Sequence, residues 1–163
     1  MATVSELFGT SNQTITITLA SLANQTNIYT GRQSTDIANT GGTPALDALV
    51  MLKVATAGSG VSATGTVLVY AYGSVDGGTT YSDGIAGTDG AWTGTNPPNV
   101  RLIGILNTVA VSTTYYGGPF SVAAAFGGTL PQYWGIAVVN NSGAALAASG
   151  NAAYYQLVNQ TVA

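Results

Sequence analysis

Two apolar segments, 65–73 and 100–107, stand out at the centre of the chain. The first has the sequence Gly-Thr-Val-Leu-Val-Tyr-Ala-Tyr-Gly and the second Val-Arg-Leu-Ile-Gly-Ile-Leu-Asn. Both are rich in β-branched, aromatic and large aliphatic residues and are bounded by Gly or Asn, which is typical of core strands. The residues between them are mostly Gly, Asp, Thr and Ser. The pattern predicts two buried strands that carry a large ordered excursion.

Residues 14–19 alternate strictly between Thr and a large aliphatic residue. The period of two places Ile15, Ile17 and Leu19 on one face and the threonines on the other. This pattern predicts a half-buried antiparallel strand whose Thr face contacts water.

Residues 45–55 fit two structures. Their Ala, Leu, Met and Lys content favours a helix by intrinsic propensity. As a strand, the segment would turn five apolar side chains inward: Leu46, Ala48, Val50, Leu52 and Val54. Four side chains would point outward: Asp47, Leu49, Met51 and Lys53. We favour the strand, because the Gly-, Ser- and Ala-rich residues 56–64 are typical of a hairpin connection to the strand at Thr66, and strands adjacent in sequence usually pair. The helix stays open as an alternative.

Shorter apolar runs between turn residues predict the remaining elements. The predicted strands cover 26–30, 32–38, 109–114, 134–140 and 152–162, with a small-residue strand or connection over 144–148. The first two would pair with each other around a bulge at Gly31, and Arg32 and Asp36 would form an exposed ion pair. Residues 115–119 would close the strand 109–114, and residues 140–143 would form a turn.

Residues 120–126 contain three consecutive alanines, which favour one helical turn. Ser121 would cap its N-terminus and Gly127 would stop it; a strand is the alternative. Altogether the pattern predicts about eight strands and at most one or two short helical turns, an all-β architecture of the β-sandwich or jelly-roll type. Residues 1–9 are predicted to form an N-terminal arm and residues 10–163 a single β-sandwich domain.

Composition adds one strong fact, which is the scarcity of charge. Only 6% of the 163 residues are charged, against about 25% in an ordinary domain. Thr, Ser, Asn and Gly take their place, and the net charge is −3. A surface of hydroxyls and amides repels other copies only weakly. We interpret this as a surface selected for permanent contact or for harsh surroundings.

Several partners and locations are disfavoured by the same sequence. The cations Arg32, Lys53 and Arg101 are scattered, whereas phosphate binding needs a cluster. No apolar run reaches the roughly 18 residues of a membrane span. The N-terminus lacks the basic and apolar regions of a signal peptide, so we expect a chain used without processing. The chain contains no Cys, which excludes disulfides.

No catalytic or cofactor-binding residue is predicted. The chain contains no His, which removes the commonest general base and most zinc sites. Asp76, Asp83 and Asp89 could in principle act as paired carboxylates, but each precedes a Gly, and Asp-Gly pairs are typical of turns. Their spacing does not match an EF-hand, so a calcium site in the loop 74–99 could only be an irregular one. The turn interpretation is favoured over both.

Four aromatic residues of the central region allow a second ligand hypothesis. Tyr70, Tyr72, Tyr81 and Trp92 could form a platform that stacks on carbohydrate. Core packing or a subunit interface is favoured, because aromatic side chains dominate both.

The central and C-terminal segments resemble small structural proteins of tailed bacteriophages. The segments that carry the resemblance are 69–78, 96–99, 118–128 and 130–141. It implies a non-enzymatic virion protein, most simply a capsid cement (decoration) protein with a β-sandwich fold. The implied partner is the major capsid protein of the same phage, the implied location is the capsid exterior after assembly in the host cytoplasm, and a homotrimer is expected. The alternatives are a tail-tube or tail-tip protein and a host-glycan-binding module.

Overall fold

The chain folds into two antiparallel β-sheets, as seen in a computed structural model that describes residues 4–162. The strands are β1 (Val4–Phe8), β2 (Gln13–Ile15), β3 (Thr30–Gln33), β4 (Ile37–Ala38), β5 (Asp47–Ala55), β6 (Thr66–Ser74), β7 (Gly90–Thr93), β8 (Arg101–Asn107), β9 (Thr114–Ser121), β10 (Tyr133–Asn141) and β11 (Ala152–Val162). Two short 3₁₀ turns cover Ser82–Gly84 and Ala123–Phe126. The predicted all-β class, with one or two helical turns, is confirmed.

The strand order is that of a jelly roll. Sheet A has the order β1-β11-β5-β9, with β2 also paired to β11. Sheet B has the order β7-β3-β10-β6-β8, with β4 also paired to β10. Without the short strands β2, β4 and β7, eight strands remain, and most connections cross from one sheet to the other, as in jelly rolls. The predicted sandwich of about eight main strands is therefore confirmed.

The main core lies between the inner faces of the two sheets. Sheet A contributes Ala48, Val50, Leu52 and Val54, each fully buried on β5. Sheet B contributes its own buried set from β6 and β10: Val67, Val69, Ala71, Trp134, Ile136 and Val138. The strict alternation of burial along β5 confirms the strand over the helix, because a helix would bury positions three and four apart. Leu46 was predicted to face inward but is 45% exposed, just before the strand begins.

The predicted hairpin across residues 56–64 is wrong. β5 pairs with β11 and β9 in sheet A, whereas β6 pairs with β10 and β8 in sheet B. The connection therefore crosses the sandwich. β6 lies inside sheet B, where its backbone pairs with β10 on one side and β8 on the other.

The two central segments pair as neighbouring strands, but only the first is buried. β6 and β8 run antiparallel from Thr66 opposite Asn107 to Ala71 opposite Arg101. β8 forms the edge of sheet B, so Leu102 and Ile105 are 50% and 52% exposed. The prediction of a second buried strand is corrected to an edge strand.

The segment 14–19 keeps its predicted faces but not its predicted length. Ile15 and Leu19 are buried and Ile17 is half-buried, with the threonines exposed. Only Gln13–Ile15 is a strand, however. After Ile15 the backbone no longer pairs within sheet A. The Thr35 amide, between the sheet B strands β3 and β4, donates to the Thr16 carbonyl at 2.8 Å, so the chain leaves sheet A toward sheet B here.

Residues 26–38 also differ from the prediction. β3 and β4 both pair with β10 and not with each other. Gly31 is no bulge but a regular position in β3, where an added Cβ would lie 2.1 Å from the carbonyl oxygen of Val138. The neighbouring backbone therefore allows only Gly there.

In the C-terminal half, one predicted strand lies at a different place in the sequence, and several other predicted elements are found where they were expected. β9 covers residues 115–119, which were predicted to end a strand rather than form one, and most of 109–114 is irregular. The 3₁₀ turn Ala123–Phe126 ends at Gly127, whose φ is +75°. The Ser121 hydroxyl accepts a hydrogen bond from the Ala124 amide at 3.1 Å, close to its predicted capping role. The strands predicted over 134–140 and 152–162 are confirmed as β10 and β11.

Candidate interaction surface

The excursion over residues 75–100 covers the outer face of sheet B, and its strand β7 also pairs with β3 at the edge of that sheet. It contributes Ile85, Trp92 and Val100, with Tyr81 packed against them. These side chains cover the outward residues of β6 and β10, which are Leu68, Tyr70, Tyr72, Ala137 and Val139. This second core explains why β6 and β10 are buried on both faces.

The four aromatic residues of the proposed glycan platform lie in or against this second core. Trp92, Tyr70 and Tyr72 are 2%, 4% and 1% exposed. The rings of Tyr70 and Trp92 lie 6.1 Å apart, and those of Tyr72 and Tyr81 lie 5.2 Å apart in an edge-to-face arrangement. The packing interpretation is confirmed, and a sugar cannot stack on side chains buried in this way.

Asp83 ties the middle of the excursion to its C-terminal end. Its carboxylate accepts hydrogen bonds from the Thr95 hydroxyl at 2.8 Å, the Asn99 side chain at 2.9 Å and the Val100 amide at 3.1 Å, and another from the Asn99 amide. Partial burial raises the pKa of Asp83, but these hydrogen bonds outweigh it and lower the pKa overall. The Trp92 indole donates to the Asp83 carbonyl at 3.0 Å. Asp83 is thus a structural anchor, as the turn interpretation expected.

Asp89 fastens the excursion to the sandwich through an ion pair. The Arg32 Nε lies 2.7 Å from the Asp89 carboxylate, which also accepts the Thr18 amide at 3.0 Å and the Thr18 hydroxyl. Burial raises the pKa of Asp89, but the bonds from Arg32 and Thr18 lower it overall. The predicted pairing of Arg32 with Asp36 is wrong, since Asp36 instead accepts the hydroxyl of Tyr81.

Asp76 has the local role that its Asp-Gly position suggested. Its carboxylate accepts the Ser74 hydroxyl and the amides of Thr79 and Thr80. The hydrogen bond from Ser74, followed by those from Thr80, lowers the pKa of Asp76. The following Gly77 has a φ of +76°, which a turn of this kind requires.

The structure does not bring the three excursion carboxylates together. Within residues 4–162, no group of three or more His, Cys, Asp or Glu side chains lies close enough to hold a metal ion. Each carboxylate has its own set of local donors. The excursion is therefore a cover on sheet B that its Asp residues hold in place.

The outer face of sheet A is uncovered by the described part of the chain. Three neighbouring strands, β5, β9 and β11, contribute to it. We call the following residues the open face: Asp47, Leu49, Met51, Lys53, Tyr116, Tyr154, Gln156 and Val158. Tyr116 is 68% exposed, and the others are partly buried by their neighbours on the sheet. The sequence predicted the outward orientation of Asp47, Leu49, Met51 and Lys53, and the burial pattern of β5 confirms it. It did not predict that β9 and β11 lie beside β5 and complete the face.

Cross-strand pairs give the open face its chemistry. Met51 lies opposite Tyr154, Leu49 opposite Gln156, and Lys53 opposite Tyr116. The Lys53 ammonium lies 6.0 Å from the centre of the Tyr116 ring, within range of a cation–π contact. Apolar, aromatic and amide groups thus dominate, with one carboxylate and one ammonium at opposite ends of the β5 segment.

Two grooves are lined by residues of the open face. One, of about 230 Å³, lies between the loop before β2 and the middle of β5, where Leu49, Met51 and Tyr154 meet Pro119. The other, of about 290 Å³, lies beside Asp47 and Val158. The Asp47 carboxylate bonds the Ser121 hydroxyl and the Ala123 amide at 2.7 and 2.8 Å, which fixes the edge of this groove. These two grooves could accept protruding side chains of a protein partner.

β1 forms the free edge of sheet A and is held weakly. All five of its residues are exposed, so its pairing with β11 buries little apolar surface. Ordering one residue costs about 1–2 kcal/mol, whereas one exposed hydrogen bond contributes about 0.5–1.5 kcal/mol. The cost of ordering β1 and the gain from its hydrogen bonds to β11 are therefore similar, and the net free energy of this pairing is close to zero. Residues 1–3 of the predicted arm lie outside the described residues.

Comparisons with known proteins identify no relative. A scan against models of protein families found no match, and a search of curated proteins found no similar sequence. Among residues 4–162, no helix has the length and apolar content that a membrane crossing would need.

Proposed function

We propose that this chain is a non-enzymatic structural protein of a tailed-bacteriophage virion, a capsid cement protein that binds the outside of the shell and bridges neighbouring capsomers. The observation that carries the proposal is the open face of sheet A. It is the uncovered counterpart of a sheet B face that the chain covers with its own excursion. The sequence resemblance supplies the class of partner, which is the major capsid protein.

The size of the open face sets the scale of the contact. The face spans three strands, β11, β5 and β9, and strands lie about 4.8 Å apart, so it is about 14 Å across. β5 has nine residues at about 3.3 Å each, or about 30 Å. The flat footprint of about 430 Å² is about half of the roughly 800 Å² per partner of a standard interface, so we expect the loops around the face to contact the shell as well.

The chemistry of the open face supports a permanent contact rather than a switchable one. Asp47 and Lys53 are its charged residues, and their charges cancel, while Glu6 of β1 adds one negative charge in the groove beside Asp47. Burying amides, aromatic rings and aliphatic groups against a matching surface incurs little of the desolvation cost of burying ions. Binding many copies to the shell stabilises the folded shell by mass action, which is what a cement protein contributes.

The proposal is tested on particles of the phage that encodes this chain. We expect the purified particles to contain the chain in a copy number that matches a symmetry site of the head lattice, and a reconstruction to place sheet A against the shell. Density in the tail tube or tail tip would instead support the tail alternative. Particles without the chain would overturn both.

A matched pair of variants tests the open face itself. Met51→Glu places an unpaired carboxylate in the open face, whereas Thr88→Glu places the same charge on the exposed surface of the excursion. On particles stripped of the protein, we expect M51E to lower occupancy about tenfold or more, because burying an unpaired charge costs several kcal/mol. T88E should bind like the wild type. Equal binding of the two variants would exclude the open face as the contact.

A further inference from the structure

β1 and β2 lie one after the other along β11 but are anchored in different ways. β2 pairs with Ala153–Tyr155 of β11, and its Ile15 is 2% exposed in the main core. β1 pairs with residues 158–162, and each of its side chains is exposed. Residues 9–12 join the two strands. The Gly9 amide donates to the Leu157 carbonyl at 2.8 Å, which continues the pairing with β11, and Asn12 has a φ of +54°. β1 is thus held mainly by backbone pairing, whereas β2 is also held by a side chain in the main core.

The exposed side chains of β1 include three large apolar ones. Val4, Leu7 and Phe8 are 58%, 51% and 53% exposed. They lie on both faces of the strand, since residues alternate, and the described part of the chain covers neither face. An apolar edge strand of this kind is a pairing surface for another chain.

The register of β1 decides which pairing a second copy can make. Glu6 is the central residue of Val4–Phe8, so two β1 strands paired edge to edge in full antiparallel register would place Glu6 opposite Glu6. Like charges directly opposite each other are destabilising. In the observed pairing Glu6 lies opposite Gln160, which is neutral and can donate a hydrogen bond. Each further copy offers this same complementary segment of β11.

We propose that β1 is exchanged between copies of this chain, so that Val4–Phe8 of one copy pairs with residues 158–162 of the next. The hydrogen bonds and the Glu6–Gln160 register stay the same, and the turn at 9–12 opens to let the strand reach across. The gain is that Val4, Leu7 and Phe8 then contact a second body. Because each copy donates one strand and accepts one, the exchange can close as a ring, which fits the expected trimer. The inference does not depend on the capsid proposal.

Single-cysteine variants test the exchange directly, because the chain has no Cys of its own. Ser5 and Thr161 lie opposite each other in the register and are both exposed, so S5C and T161C should fold normally. The two variants are unfolded together, refolded as a mixture and oxidised, and the 5–161 heterodimer is quantified by mass spectrometry. A mixture of S5C with A148C, at an exposed loop position, measures random collision.

We expect the 5–161 heterodimer to exceed the 5–148 heterodimer about tenfold or more, because paired strands hold the two thiols at a high effective concentration. The double variant S5C/T161C should then give covalent oligomers on a non-reducing gel. Equal heterodimer yields would overturn the exchange. A double variant that closes its disulfide within one chain would also overturn it and would show that β1 pairs only with its own β11, which leaves its free edge for a different protein.

Discussion

Replacing Trp92 with Ala should detach the excursion from sheet B. The Trp92 side chain is 2% exposed, and a buried aromatic side chain removes about 150–250 Å² from water. At about 25 cal/mol per Å² this burial stabilises by about 4–6 kcal/mol, an upper limit because the unfolded chain is partly compact. The hydrogen bond from its indole to Asp83 adds about 1 kcal/mol. We therefore expect W92A to lower the free energy that holds the excursion on sheet B by about 3–5 kcal/mol.

Two measurements separate a local detachment from global unfolding. The chain contains two Trp residues, so in the W92A variant fluorescence comes from Trp134, which is fully buried in the main core. In W92A, we expect the free energy of global unfolding, followed at Trp134, to fall by less than the free energy of local opening that amide exchange reports for residues 75–100. Amides of β5 should keep their protection, because β5 packs on the opposite side of sheet B.

Two further variants make the test specific. Trp92→Phe keeps most of the ring packing and loses the indole hydrogen bond, so we expect it to cost about 1–2 kcal/mol. Thr93→Ala, at the exposed neighbouring position, should change stability by less than about 0.5 kcal/mol. If W92A lowers stability no more than T93A does, the excursion is not packed on sheet B. The contrast between a covered sheet B and an uncovered sheet A would then be wrong.

Three other predictions concern Asp83, Gly104 and the open face. The folded pKa of Asp83 is lowered, so its contribution is present above the unfolded pKa of about 3.9 and is lost as the pH falls through the folded pKa; amide exchange in the excursion should rise below about pH 4 in the wild type, and the rise should be smaller in D83N, where Asp76 and Asp89, whose pKa values are also lowered, still contribute. Gly104→Ala should cost about 1–3 kcal/mol in denaturant unfolding, because its Cβ would lie 2.4 Å from the Phe120 ring, whereas Gly41→Ala, with open space around it, should be nearly neutral. Binding to stripped particles should change little with salt concentration, because the charges of the open face cancel; a steep loss of binding at high salt would contradict this.

The long strands could be predicted from the sequence because their signals are local. The alternation along β5 and the apolar runs of β6 and β10 reflect burial, which each strand records in its own residues. The turn at Ala123–Phe126 was likewise marked by the Gly127 that ends it. Fold class and most core residues therefore followed from patterns a few residues long.

The pairing of strands could not be predicted in this way. Adjacency in sequence suggested that β5 pairs with β6, whereas a jelly roll sends this connection across the sandwich. The apolar run of β8 was predicted to be buried, but its position at the edge of sheet B leaves Leu102 and Ile105 exposed. Apolar content alone does not distinguish a core strand from an edge strand that awaits a partner.

The roles of the Asp residues were predicted only where their partners are near in sequence. Asp76 bonds Ser74, Thr79 and Thr80, so its turn role was visible. Asp89 pairs with Arg32, which is 57 residues away, and Gly90 begins β7 instead of completing a turn. The open face was predicted only in part for a related reason. The outward residues of β5 could be identified from its alternation, but the face itself exists only where β5, β9 and β11 lie side by side.

The two proposals meet on one strand, β11. Its first part contributes Tyr154, Gln156 and Val158 to the open face, and its last part, residues 158–162, is the segment with which β1 pairs. An exchanged β1 would therefore extend sheet A of one copy with a strand from the next, and it would place Val4, Glu6 and Phe8 beside the open face, on the same side of the sheet. Docking on a shell would then contact two copies at each β11. Such an arrangement would favour binding of an assembled ring over binding of single copies, because each contact is gained several times at once.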